Sequence, residues 1–244
     1  MLVKRIQTVR MMHTDSTNVK SEPGLDTARR PQSGSGSARP PQSGSGSARP
    51  PSRKAAQSEV TRAKLVRAGR RLFGKRGYAD VGTEEIVRAA GVTRGALYHQ
   101  FADKRELFAA VFEDTEAELI AEAAQRVATT DDPLEALRGG FQGWLEACSR
   151  PAVQRIVLVD APAVLGWEEW RAIGERHGLG VTMAALQAGI DAGAIAPQPV
   201  RPLAHVVVGA LDEAALYVAR ADDPETAREE MALILDRLID SLRA

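Results

Sequence analysis

Residues 83–101 read TEEIVRAAGVTRGALYHQF, and the order of residue types there decides the local fold. Thr83 stands where a helix cap belongs, and Glu84 and Glu85 fall in a first turn whose dipole favours negative charge. Ile86, Ala89 and Ala90 form a compact apolar face, as two helices that cross steeply through a short turn require. Gly91 supplies the turn, Val92 fills the joint, and Thr93 is placed to cap a second helix. On that helix Leu97 and Phe101 are four residues apart and face inward, leaving Arg94, Gly95, Tyr98 and His99 outside. The pattern predicts a helix-turn-helix over about 82–101, whose polar and aromatic outer face suits a nucleic-acid groove.

The flanks agree with that reading. From Ser58, Leu65, Ala68, Leu72 and Phe73 share one helical face while Arg62, Lys64, Arg67, Arg70 and Arg71 cover much of the rest. Gly77 follows Lys75 and Arg76 as a helix-ending glycine after cations in the last turn. On the other side, Asp103-Lys104-Arg105-Glu106 reads as a D-x-x-E capping box. A helix N-terminus carrying Lys104 beside the helix-turn-helix is a natural phosphate clamp.

The segment AKLVRAGRRLFGKRGYADVGTEEIVRAAGVTRGALYHQFADKRELFAAVF, residues 63–112, resembles the DNA-binding domain of the TetR family of bacterial transcriptional regulators. Matching features are Phe73, Gly77-Tyr78, the start at Thr83, Ala90-Gly91-Val92, Leu97-Tyr98, Phe101, Lys104 and Leu107. The resemblance implies a DNA-binding domain over 59–119. It places Thr93, Arg94 and Gly95 at the start of a recognition helix within reach of base edges. It implies contacts from Tyr98 and His99 to backbone or bases, from Lys104 to a phosphate, and from Thr83 to the opposite strand. Thr83 and Thr93 would equally serve as plain helix caps. Arg94 is the residue best suited to sequence readout, because its planar fork matches guanine O6 and N7.

Composition is consistent with this division. Residues 1–58 and 60–105 each carry a net charge of +7, residues 106–244 carry −13, and no lysine follows Lys104. A basic first part and an acidic remainder suit a polyanion on one side only, although solvated surface charge alone would also produce it. Residues 1–57 are expected to be a disordered basic tail: PQSGSGSARP at 31–40 recurs unchanged at 41–50, and such sequence has nothing to bury. The lone cysteine, Cys148, excludes an intrachain disulfide and agrees with a reducing cytoplasm, where the protein would be nucleoid-associated. The longest apolar run, 203–216, is interrupted by His205, Asp212 and Glu213, so no membrane span and no membrane partner are expected.

Beyond the first domain, helices are expected at about 103–128, 133–148, 151–164, 167–192, 201–220 and 223–243, with breaks at Pro133, Pro151, Gly166, Pro202 and Pro224. The fold class is all-α: an N-terminal three-helix, helix-turn-helix domain followed by a helical ligand-binding and dimerisation domain over 120–244. The resemblance implies a homodimer joined through the last two helices. Val206, Gly209, Ala210, Glu213 and Tyr217 line one side of the first; Leu233, Ile234, Arg237, Leu238 and Ser241 lie along the second. It also implies a pocket for a small-molecule effector of unknown identity. Candidate lining residues are Phe141, Trp144, Cys148, Trp167, Trp170, His177 and Met183, any of which would serve equally as plain core. Asp160, a charge inside the apolar run 156–164, would orient a ligand or cap a helix end.

No H-E-x-x-H, G-x-S-x-G or phosphate-loop pattern is present, and His13, His99, His177 and His205 lack metal-ligand spacing, so neither enzyme activity nor a cofactor is expected. The function these features imply is a ligand-responsive repressor that binds a palindromic operator in double-stranded DNA as a dimer. A TetR-like activator and a nonspecific architectural DNA binder are the alternatives.

Overall fold

The computed structural model describes residues 53–127 and 130–244. Within them every regular element is helical, and the single β-type contact is an isolated antiparallel bridge between Ile195 and Arg243. Helix α1 (Arg53–Arg76) leads into the short pair α2 (Thr83–Ala90) and α3 (Arg94–Gln100). The long α4 (Lys104–Val127) then carries the chain into a bundle of α5 (Pro133–Cys148), α6, α7 (Trp167–Asp191), α8 (Val200–Arg220) and α9 (Pro224–Asp240). Helix α6 has three segments: Pro151–Gln154, a π-helical Arg155–Asp160 and Ala161–Leu165.

Four boundaries depart from the sequence reading. Residues 53–57, expected in the tail, are helical: Ala55, Ala56 and their straight-chain neighbours form helix well, and extending an existing helix avoids a new nucleus. The rest of the predicted tail lies outside the described residues. Thr83 is not a cap; the extended Gly82 occupies that position without a side-chain bond, and Thr83 is already helical. The single helix expected over 151–164 widens into a π turn. Pro162 brings no N–H to the carbonyl of Leu158 and its ring crowds that oxygen, which the wider turn relieves. The last helix stops at Asp240, after which Ala244 N–H donates to Ala194 O and Leu242 O accepts from Ala196 N–H.

The expectation about membrane spans also needs correction. Counted to its full length, α8 is long and apolar enough to cross a membrane, the one such helix among the described residues. Here it packs instead between α7 and α9, and its mid-helix Asp212 pairs with Arg171 of α7 at 3.2 Å.

The core runs unbroken from the first three helices into the bundle through α4. Phe73 of α1 and Phe108 of α4 meet edge to face with ring centroids 5.2 Å apart, and Tyr78 joins them at 5.1 Å from Phe108. One face of α4 therefore packs on α1 and the Tyr78 turn while later turns of the same helix form a wall of the bundle.

Candidate nucleic-acid interface and ligand cavity

The helix-turn-helix is held by a small apolar centre and by local backbone closure. Ile86, Leu97 and Phe101 are buried. Gly91 takes a left-handed φ of 64°, so that its own N–H reaches Arg88 O and the N–H of Val92 reaches Val87 O. Thr93 Oγ1 accepts the Ala96 N–H at 3.1 Å, which fixes the start of α3. With Leu97 inward, Thr93, Arg94, Gly95, Tyr98 and His99 are all exposed along α3, Tyr98 at 45%. The Arg94 guanidinium lies 5.6 Å from the Tyr98 ring centre and 3.3 Å from Glu84, in an exposed cluster that a competing anion can open. Thr83 is half-buried at the mouth of α2.

Lys104 is placed differently from a free clamp. Its ammonium turns inward, donating to Tyr78 O at 2.8 Å and Val81 O at 3.0 Å, 4.0 Å from the Tyr78 ring centre. Burial lowers its pKa, opposed by the negative charges of Asp160 and Asp80. Two of its three donors are thus committed to the turn before α2. The predicted capping box is also shifted by one residue. Asp103 Oδ1 accepts from Glu106 N–H at 2.8 Å, but the Glu106 carboxylate accepts from the N–H of Ala102 rather than Asp103.

A cavity of about 100 Å³ lies among α4, α5, α7 and α8. Of the eight side chains proposed for a ligand pocket, Phe141, Trp144 and Trp170 are on its wall. The others are elsewhere, for reasons of helix phase. Cys148 is buried behind the wall, its thiol pushed well up by burial and by Glu116. Trp167 is 58% exposed, its ring tilted against Trp170 at 4.8 Å. His177 faces a groove against α1 and α4, with Nε2 3.5 Å from Glu113, and His177 and Arg176 hold that carboxyl below its usual range. Met183 is half-buried against the core, and Asp160 lies at the junction with α1.

The polar part of the wall was missed in the sequence. Glu116 of α4 is 3% exposed, and among the described residues no hydrogen bond holds its carboxyl; burial and nearby Asp212 push its pKa up to about 8. Asp212 is raised to about 6 by burial, against the pull of Arg171. Trp144 also lines the cavity and its buried Nε1–H has no acceptor among the described residues, whereas Trp170 Nε1 donates to Val157 O at 2.9 Å. One signal was available for Asp212, a charge inside the apolar run 203–216; Glu116 sits among other acids and gave none.

Residues 65–111 match the model of the bacterial regulatory proteins of the tetR family, and residues 134–242 match that of a tetracyclin repressor-like C-terminal domain. The fold matches the crystal structure of a TetR-family transcriptional regulator from Pectobacterium atrosepticum with a TM-score of 0.70. The two are 34% identical, over 78% of this chain and 97% of that one. The chain belongs to the TetR family. Curated relatives include the regulator AcrR of Shigella flexneri, 37% identical over 36% of this chain and 41% of its own length. The repressor KstR2 of Mycobacterium tuberculosis is 31% identical over 44% of this chain and 54% of its own. The chain spans about half the length of these curated relatives.

In this TetR-family chain the π-helical segment of α6 touches both regions. Arg155 donates to the carbonyls of Gly74 and Lys75 at the end of α1, where a cation suits the helix dipole. Asp160 accepts the Tyr78 N–H at 2.8 Å, just past Gly77, whose φ of 88° makes the bend. Val157, two residues after Arg155 and three before Asp160, lines the cavity. On the far side, α8 and α9 expose Val206 at 69%, with Tyr217, Leu233, Ile234 and Leu238 about half exposed. Glu213 and Arg237 are exposed beside them. Gly209 and Ala210, expected on the same outer face, turn inward: Gly209 faces Arg171 and Ala210 packs on the core.

Proposed function

We propose that this protein is a ligand-responsive transcriptional repressor that binds a palindromic operator as a homodimer. The observation that carries the reading is the face of α3, where Thr93, Arg94, Gly95, Tyr98 and His99 are exposed together above buried Leu97 and Phe101. Residues 53–119 form the DNA-binding unit in this reading. Arg94 reads a base edge, Tyr98 and His99 contact bases or backbone, and Thr83 approaches the opposite strand. One such helix reads only a few base pairs, so symmetric pairing is needed for specificity. The exposed apolar side chains of α8 and α9 supply a surface to be covered, and covering it also accounts for the apolar character of α8. The site of action is the cytoplasm, on the nucleoid, and nothing in the reading calls for catalysis.

Residues 120–244 hold the effector in the cavity among α4, α5, α7 and α8. A ligand that moves Trp170 or Val157 displaces the π segment, and through Arg155 and Asp160 the end of α1. The spacing of the two recognition helices then changes, by no more free energy than the ligand's preference between the two states.

Selection of bound duplexes from a random pool tests the DNA half: a palindromic consensus is expected, and unenriched pools would indicate nonspecific binding. With that consensus, Arg94→Ala is expected to cost ~1–3 kcal/mol of discrimination at one base pair per half-site. A reporter joined to the consensus should rise on deletion of the regulator; a fall would make it an activator.

A further inference from the structure

We propose that the effector cavity is built for a hydrophobic amine: a cationic nitrogen opposite Glu116, a ring-sized apolar body, and an acceptor oxygen for Trp144. This rests on the ligand-sensing reading above and assigns the chemical class of the ligand. Three observations support it. Glu116 is 3% exposed on the cavity wall and has no hydrogen-bond partner among the described residues. Trp144, 8% exposed on the same wall, holds an Nε1–H without an acceptor among those residues. The remaining lining is apolar apart from Arg171, Asp212 and Thr182, and these three already have partners: Arg171 with Asp212 and Glu175, Thr182 with Gly178 O.

Buried polar groups without partners are expensive, so two of them facing one small cavity point to a bound molecule that satisfies both. The charges select its sign. Glu116 and Asp212 present two carboxyls, and the one guanidinium, Arg171, is already held by Asp212 and Glu175. Arg171 and Asp212 offset one another, so the group left to meet a ligand is Glu116, which an ammonium can convert to a carboxylate and an anion would hold protonated. A cation neutralises Glu116 and packs against Phe141 and the two tryptophan rings, which favour positive charge. The empty site keeps Glu116 protonated at neutral pH, so an arriving cation expels that proton to solvent and leaves a carboxylate–ammonium pair. Binding should therefore strengthen as pH rises towards 8.

The test uses three compounds with one aryl ether body: 2-phenoxyethylamine, 2-phenoxyethanol and phenoxyacetate. Binding to the full-length protein is followed by quenching of tryptophan fluorescence and by calorimetry in two buffers of different ionisation heat. The amine is expected to bind at least tenfold more tightly than the alcohol at pH 7, to release close to one proton, and to gain about tenfold per pH unit from 6 to 7. The carboxylate should bind least. Glu116→Gln replaces a neutral carboxyl by a neutral amide of the same shape, and should remove the amine's advantage over the alcohol and the proton release that goes with it.

Equal or tighter binding of the alcohol or carboxylate overturns the proposal, as does absence of binding by the amine. These comparisons are also made within the wild-type protein, so they do not depend on how the variant folds. An amine that binds as expected but leaves operator affinity unchanged would sink the ligand-sensing reading while leaving the site intact. An alcohol that binds at least as tightly as the amine and releases operator would do the reverse.

Discussion

The recognition face and the cavity are built on opposite terms. On α2 and α3 the buried side chains are apolar, and the polar ones are exposed or locally paired: Thr93 with Ala96, Arg94 with Glu84. Around the cavity the buried side chains include the Glu116 carboxyl, which no hydrogen bond holds among the described residues, and the Trp144 indole N–H, which has no acceptor among them. The first arrangement is stable as it stands and presents its chemistry outward. The second lowers stability until something fills it, as expected where a ligand is to be bound in preference to water. One helix, α4, joins the two, with Phe108 against Phe73 of α1 and Tyr78 of the turn before α2, and Glu116 two turns further on at the cavity.

The contrast is tested most strongly at Glu116. Its ordinary value is 4.5 and burial raises it to about 8 in the folded protein. Below 4.5 both folded and unfolded chains hold the proton. Between 4.5 and 8 the unfolded chain ionises while the folded one does not, so stability is lost as pH rises through that window. The groups facing it are Asp212 from α8, Arg171 from α7 and Cys148 from α5, all retained in the variant. Glu116→Gln, neutral in both states, should exceed wild type by on the order of a few kcal/mol at pH 9 and match it near pH 4.5. Urea unfolding at fixed protein concentration across that range measures the difference. A gap that does not change with pH would mean that Glu116 is solvated, and the two regions would then not differ in the way described.

The same contrast explains what could be read from the sequence. The helix-turn-helix follows rules that act within four residues: a threonine cap, a glycine turn, and an apolar pair at Leu97 and Phe101. These are visible in one stretch of chain; the Thr83 cap was misplaced by one residue, and Ala89, expected on the apolar face with Ile86, is exposed. The cavity is assembled from residues up to about a hundred positions apart, so its members depend on how each helix is rotated in the bundle. A buried Glu116 looks like any helical glutamate, and an exposed Trp167 looks like core. The π turn at Arg155–Asp160 shifts the phase of α6, which moved Asp160 from the expected ligand site to the junction with α1. The inward turn of Gly209 has the same origin: spacing on α8 fixes which residues share a face, but contact with Arg171 fixes which face is inside.

Lys104 gives the next largest effect, because it separates structure from contact on the recognition side. Its bonds to Tyr78 O and Val81 O make it a fastener of the turn before α2. Lys104→Ala should therefore lower unfolding stability by about 1.5–3 kcal/mol, the range for bonds from a charged donor. If its third donor also reaches a phosphate, the variant weakens binding to every duplex alike and reduces the salt dependence by about one ion. Thermal unfolding followed by circular dichroism reads the first effect and a salt-titrated gel shift the second. An unchanged melting temperature with a reduced salt slope would make Lys104 a phosphate contact alone, and would remove the fastener from the account.

The smallest effect is expected at Asp160, and it bears on whether the two regions communicate. Its carboxylate accepts the Tyr78 N–H, while Lys104 holds the Tyr78 carbonyl, so this residue of the DNA-binding unit is gripped from both sides. Burial raises the Asp160 pKa, and the Tyr78 N–H, Arg155 and Lys104 oppose that rise. In Asp160→Ala the π segment still meets α1 through Arg155, so the loss of stability should be modest, about 1 kcal/mol. Coupling should suffer more than stability. With one of the two links cut, movement of Val157 at the cavity reaches the end of α1 less completely. Operator affinity without ligand is then expected to stay close to wild type, and the drop in that affinity on adding a bound effector to become smaller. Operator binding measured with and without the cavity ligand in both proteins gives this ratio directly. An unchanged ratio would mean that the signal passes through Arg155 or along α4, which runs from one region to the other without a junction.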